Sequence, residues 1–168
     1  MQTRAGIVTF HRRGPKGLWY SLFVPGEGRV DLFSRHDAFL LFDRIEANFS
    51  RRCEACFLSD WTLVERSPLA DRPELLAAAG YFGHLINCFT DGGPAEESFV
   101  HTARRLLDRP LTRETLAAAE TLWGRAMGLS GADTAPEGTI LRDHIGGRGF
   151  RIREHLLNQL SLREERHA

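Results

Sequence analysis

Between residues 5 and 65 the apolar positions come in short runs with an extended, two-residue period. "AGIVTFHR", "LWYSLFV", "RVDLFS", "AFLLFDRIEANF" and "EACFLSDWTLVER" are rich in β-branched and aromatic residues, and turn residues separate the earlier runs. Pro25-Gly26-Glu27-Gly28 sits between two of them and predicts a hairpin. In the last run Cys56, Leu58 and Asp60 alternate against Phe57, Ser59 and Trp61, with Leu63 continuing the second face. The fourth run also fits a helical stripe and is read as a strand. Five short strands in so little chain predict a small closed or nearly closed barrel, and an OB-fold has that strand count.

After "SPLADRP" the period changes to three and four. Pro73 suits a first helical turn, and Leu75, Leu76, Ala79, Phe82, Gly83, Ile86 and Phe89 then form one helical stripe. "AEESFVHTARRLLD" predicts a second amphipathic helix, and "TRETLAAAETLWGRAMGL" a third with Thr112 as N-cap. "SGADTAPEG" reads as a loop. "TILRDHI" and "FRIREHLLNQLSLREE" read as two last helical pieces split by the flexible "GGRG". The expected fold class is α+β: a five-stranded OB-like barrel over residues 1–68, then a helical bundle over 69–168.

Composition narrows the class without naming a chemistry. The 168 residues are 42% hydrophobic and 26% charged, as in a folded protein of one ordinary or two small domains. No apolar stretch reaches bilayer length and the N-terminus lacks the apolar core of a secretory signal, so the cytoplasm is the expected compartment. Three cysteines, an odd and sparse set, agree with it. Net charge is zero, but residues 1–52 carry nine Lys/Arg against five Asp/Glu, while residues 67–135 carry six against nine. Such asymmetry fits an N-terminal surface that meets a polyanion, or a plain scatter of solvated charge. Of the 22 cations only Lys16 is not arginine, which favours bidentate contact with phosphate or carboxylate.

An OB-type barrel holds single strands by offering phosphates a positive track and bases an aromatic platform. Arg12, Arg13 and Lys16 lie in the first turn, Arg29 and Arg35 flank the third strand, and Arg51 and Arg52 precede the fifth. Trp19, Tyr20 and Phe33 are the nearest aromatics. Adjacent strand residues face opposite sides, so one of Trp19 and Tyr20 must point outward, to stack on a base or to pack on the helices.

Other chemistry is weaker. Cys53-Glu54-Ala55-Cys56 is half a zinc site without a second half, and Cys88 is a single distant thiol. His84 and His101 sit on predicted helices, where a histidine is far more often structural than a ligand. Ser130 lacks the glycine spacing of a hydrolase elbow, and no glycine cluster has a nucleotide-binding context. No catalytic constellation, metal or cofactor is expected.

A five-stranded barrel joined to a helical domain resembles the RecO family of recombination mediators. The similarity starts at Gly6 to Val8 and runs through "LFVPGEGRVDLF". It continues through "TLVERSPLADRPELLAAAGYFGHLINCFTDGGPAEESFVHTARRLLD" and returns in "LRDHIGGRGFRIREHL". "SRHDA" stands where that family commonly has a Lys-Gly-Ala-Arg loop, and "SGADTAPEG" where many members have four zinc-binding cysteines, so the chain reads as a shortened, divergent member.

The resemblance implies a non-enzymatic adaptor in DNA repair and recombination. It would hold single-stranded DNA, promote annealing, and contact the acidic tail of single-strand DNA-binding protein and a RecR-like partner. Arg104 and Arg105 on the second helix, with Arg148, Arg151 and Arg153 near the last, are the candidate partner-binding cations, against the plain reading of solvated helix faces. The alternative is a protein–protein module that keeps the architecture without significant DNA binding. A third option, an enzyme around His84, His101 and Cys88, is the most distant.

Overall fold

The computed structural model describes residues 2–35, 39–52, 55–89, 94–129 and 139–167. Five strands close into a barrel: β1 (Gln2–Gly14), β2 (Gly17–Val24), β3 (Gly28–Ser34), β4 (Arg44–Arg52) and β5 (Ala55–Glu65). Around the barrel the order is β1-β2-β3-β5-β4, and β4 returns to β1. Every pairing is antiparallel except the short β3–β5 junction, where Leu32 meets Cys56 and Phe33 meets Phe57. Gly26 and Gly28, both with φ near +80° (75° and 86°), make the β2–β3 turn that "PGEG" predicts.

Val8, Tyr20, Leu22, Leu32, Ile45, Ala47 and Phe49 fill the barrel interior. A second core joins the outside of the barrel to the helices, and Ile7, Phe23, Leu41 and Phe42 belong to it. This second core runs past the end of β5 through Leu69 and Leu75, where short 3-10 turns at Pro68–Ala70 and Pro73–Leu75 lead into helix. Among the described residues four helices follow: α1 (Leu76–Phe89), α2 (Pro94–Leu107), α3 (Arg113–Ala126) and α4 (Thr139–His167). No described helix is long and apolar enough to cross a membrane.

Helix α1 packs on α2, α4 and β1. At Gly83 it lies so close to the barrel that an added Cβ would stand 2.0 Å from the Thr9 carbonyl oxygen. Thr9 interrupts the β1–β2 register, and its hydroxyl lies 3.3 Å from both the Ser21 carbonyl and Asn87 Oδ1. The capping box at Thr112 is complete, with Thr112 and Thr115 each bonding the other's backbone N–H.

Three sequence expectations are corrected. In "AFLLFDRIEANF" only Arg44 onward is strand, because Phe42 takes a left-handed φ of 67° and the preceding apolar residues serve different cores. "GGRG" does not split the last helix: α4 is continuous over 29 residues. Its buried Leu141, Gly149, Arg153, Leu156 and Leu160 dock along one side, and that packing outweighs the cost of glycine, about 1 kcal/mol each. Third, a register shift between β4 and β5 at Asn48/Phe49 breaks the expected β5 alternation. Cys56 and Leu58 face the interior, and so does Leu63, while Trp61 pairs with Ala47 and packs on Phe39.

Candidate nucleic-acid interface

The outer wall of the barrel is read most simply as rows running across the strands. Ile7 on β1 pairs with Phe23, which pairs with Arg29; this row lies beneath the helices, and Ile7 and Phe23 are buried. Phe10, Ser21 and Asp31 form the next row. The third is Arg12, Trp19, Phe33 and Phe57, in direct register over β1, β2, β3 and β5. One outer face of the barrel thus passes from covered to open, and its open end is cationic and aromatic.

Strand alternation decides the ambiguity at β2. Trp19 turns outward and is half-buried, whereas Tyr20 turns into the barrel, is 2% exposed and packs edge-on against Phe39 at 4.7 Å. Tyr20 is therefore corrected from candidate stacking residue to core residue. Trp19 and Phe33 lie 5.3 Å apart, and Phe33 and Phe57 5.8 Å, both edge-to-face. The Arg12 guanidinium sits 5.9 Å over the Trp19 ring. These three rings, with Lys16 and Arg35, line an open pocket of about 400 Å³.

Arg12, Arg13, Lys16 and Arg35 are all exposed. Among the described residues no ion pair holds Arg12, Lys16 or Arg35. Arg29 is partly committed: it faces Asp31 at 3.5 Å and donates to the Asn87 carbonyl at 3.3 Å. Arg51 and Arg52 end β4, and their side chains lie outside the described residues. Phe57 completes the row and is not among the residues singled out from sequence. The alternation groups it with Trp61 and Leu63, and only the register shift in β5 puts it on the opposite face from Leu63.

A second cavity of about 420 Å³ adjoins the first, with Trp19 as the shared wall. It lies between the middle row and α1, which contributes His84, Asn87 and Cys88. Ser21 donates to Asp31 at 2.7 Å on its floor. Cys88 Sγ lies 3.5 Å from His84 Nε2; partial burial pushes the thiol up from its ordinary range, and the nearby Arg29 guanidinium opposes the shift. His101 borders a different, smaller pocket beside Glu97, so the two histidines do not build one site. No cluster of metal ligands occurs among the described residues.

Two of the candidate partner-binding arginines are structural. Arg104 is buried, donates to the carbonyls of Phe42 and Arg66 at 2.9 and 2.8 Å, and pairs with Glu65 at 2.9 Å. It locks α2 to the end of the barrel, where the buried Asp43 also accepts from Leu40 N and Ser67 N. Arg153 is 6% exposed and forms a bidentate pair with the buried Glu120 at 2.7 and 2.8 Å. Tyr81 donates to the same carboxylate at 2.5 Å, so one ionic knot ties α1, α3 and α4. Both guanidinium groups are engaged in these internal contacts rather than turned to the surface. Arg105 and Arg151 are exposed, and the side chain of Arg148 lies outside the described residues.

No protein-family model matches the chain, and no curated protein matches it.

Proposed function

We propose that this protein is a non-enzymatic, RecO-like adaptor of DNA repair and recombination that binds single-stranded DNA on the open wall of its barrel. The observation that carries this reading is the row Arg12–Trp19–Phe33–Phe57, bordered by Lys16 and Arg35. The β1-β2-β3-β5-β4 order with a parallel β3–β5 closure supports an OB-like barrel, a fold whose outer wall serves this use elsewhere. Rings accept bases of any sequence, and guanidinium groups neutralise the phosphates between them. Two strands held by such charge repel each other less while their bases stay free to pair, which is the physical route to annealing.

The partner half of the reading, a single-strand DNA-binding protein tail and a RecR-like protein in the cytoplasm, follows from the resemblance. Arg105 and Arg151 are the described candidate cations left to serve it. Fluorescence anisotropy of a labelled oligothymidylate at low and high salt tests the DNA half. Binding at low salt that weakens steeply as salt rises is the expected result; no binding at low salt overturns it.

A further inference from the structure

The cavity beneath α1 has a composition that the aromatic platform alone does not explain. Its floor is the polar middle row of the barrel wall, where Ser21 is bonded to Asp31. Arg12 and Arg29 bring two guanidinium groups, and Asp31 is matched by Arg29, so the balance of charge is positive. Its volume of about 420 Å³ falls in the range of sites that hold a ligand of nucleotide size, roughly 300–1,000 Å³. Trp19 lines this cavity and the platform pocket alike.

We infer that a bound single strand passes over Trp19 into the groove between the barrel wall and α1, which seats one further nucleotide of the chain. This rests on the proposed DNA-binding reading and extends it: the helical part becomes a wall of the track. Arg12 and Arg29 face the phosphates on either side of that nucleotide. Ser21 and Asp31 present a polar floor with acceptor oxygens, suited to the exocyclic amines and ring N–H groups of a base. The Cys88 thiol, exposed at the groove wall, is covered when the nucleotide is seated.

The groove's width is fixed by the fold. Gly83 brings α1 against the Thr9 carbonyl, and Asn87, one turn later, is held by its donation to the Gly83 carbonyl at 2.8 Å. A site set by backbone contact does not need to form on binding, which favours affinity.

The test is alkylation of Cys88 by N-ethylmaleimide in a full-length chain carrying Cys53→Ser and Cys56→Ser, with oligothymidylate binding followed by anisotropy in the same samples. At free oligonucleotide about ten times Kd, some one site in eleven is open, and alkylation slows about tenfold. Saturated binding with an unchanged alkylation rate overturns the groove path and leaves the platform reading standing. Absence of binding at low salt overturns both. Cys88→Trp supplies a second readout, since a bulky ring in the groove weakens oligothymidylate binding while the melting temperature holds. A variant that folds and binds as tightly as the parent contradicts the inference.

Discussion

Trp19 and Tyr20 differ by one position and end on opposite sides of the barrel wall, so removing each ring has a different consequence. Trp19→Ala takes away a stacking surface and is expected to cost about 1–3 kcal/mol in oligonucleotide affinity with little change in melting temperature. Tyr20→Ala empties part of the barrel core and is expected to cost about 3–5 kcal/mol of stability, in the range of other large aromatic truncations. Anisotropy and thermal denaturation on both variants separate the two. At the ionic knot, Glu120→Ala strands Arg153 in the interior and is expected to destabilise by about 3–5 kcal/mol, as seen in denaturant titration. Tyr81 gives the knot a pH signature. Burial first, and the Glu120 carboxylate second, raise its pKa in the folded state. The unfolded chain therefore loses that proton first, so the stability this group confers is complete below the ordinary tyrosine value of about 10 and is lost as pH rises above it. In melts on either side of that pH, Tyr81→Phe should lose less stability on the alkaline side than the parent. An equal or greater loss contradicts the role assigned to the hydroxyl.

Helix α1 is the element on which the joint depends, and Gly83 is its closest point of contact. Gly83→Ala raises intrinsic helix propensity but puts a methyl group into the Thr9 carbonyl, which is backbone and cannot rotate away. The expected outcome is a loss of about 1–3 kcal/mol in chemical denaturation, despite the better helix former. A more stable variant would show that α1 and β1 are not in contact at this position. The elements that were easiest to read from sequence are those with one dominant partner surface. In β3 the buried Leu32 alternates with more exposed neighbours, and α2 and α3 each turn one apolar side to the core. By contrast, Ile7 on β1 and Phe23 on β2 are buried on the outer wall too, and α1 is buried on several sides, with Leu76 of its expected stripe left exposed. "AFLLF" misled because Phe39 packs inside the barrel while Leu41 and Phe42 serve the joint with the helices, so consecutive apolar residues answer to different cores. "GGRG" misled because local glycine cost is small beside the docking of a long helix along one side.

Over the whole molecule, the candidate surface depends on closure that no local pattern contains. Alternation makes Trp19 and Phe33 outward partners through a hairpin, which is a neighbour relation in sequence. Phe57 joins them only through the parallel β3–β5 pairing, across more than twenty residues of chain, and that register cannot be read from period. Charge was ambiguous for the same reason. Arg104 and Arg153 look like solvated helix cations in sequence, and the tertiary fold buries both as internal ties. Among the described residues the outward cations bordering the platform rings are Arg12, Lys16 and Arg35, and the proposed DNA binding depends on their meeting phosphate. The measurement that tests this most directly is the salt dependence of oligothymidylate affinity, compared between the parent chain and the triple variant R12A, K16A, R35A. Each phosphate contact on a single strand contributes about 0.7 to the slope of log affinity against log salt, so loss of three contacts should flatten it by about 2. A triple variant with the parent's affinity and slope would contradict the account.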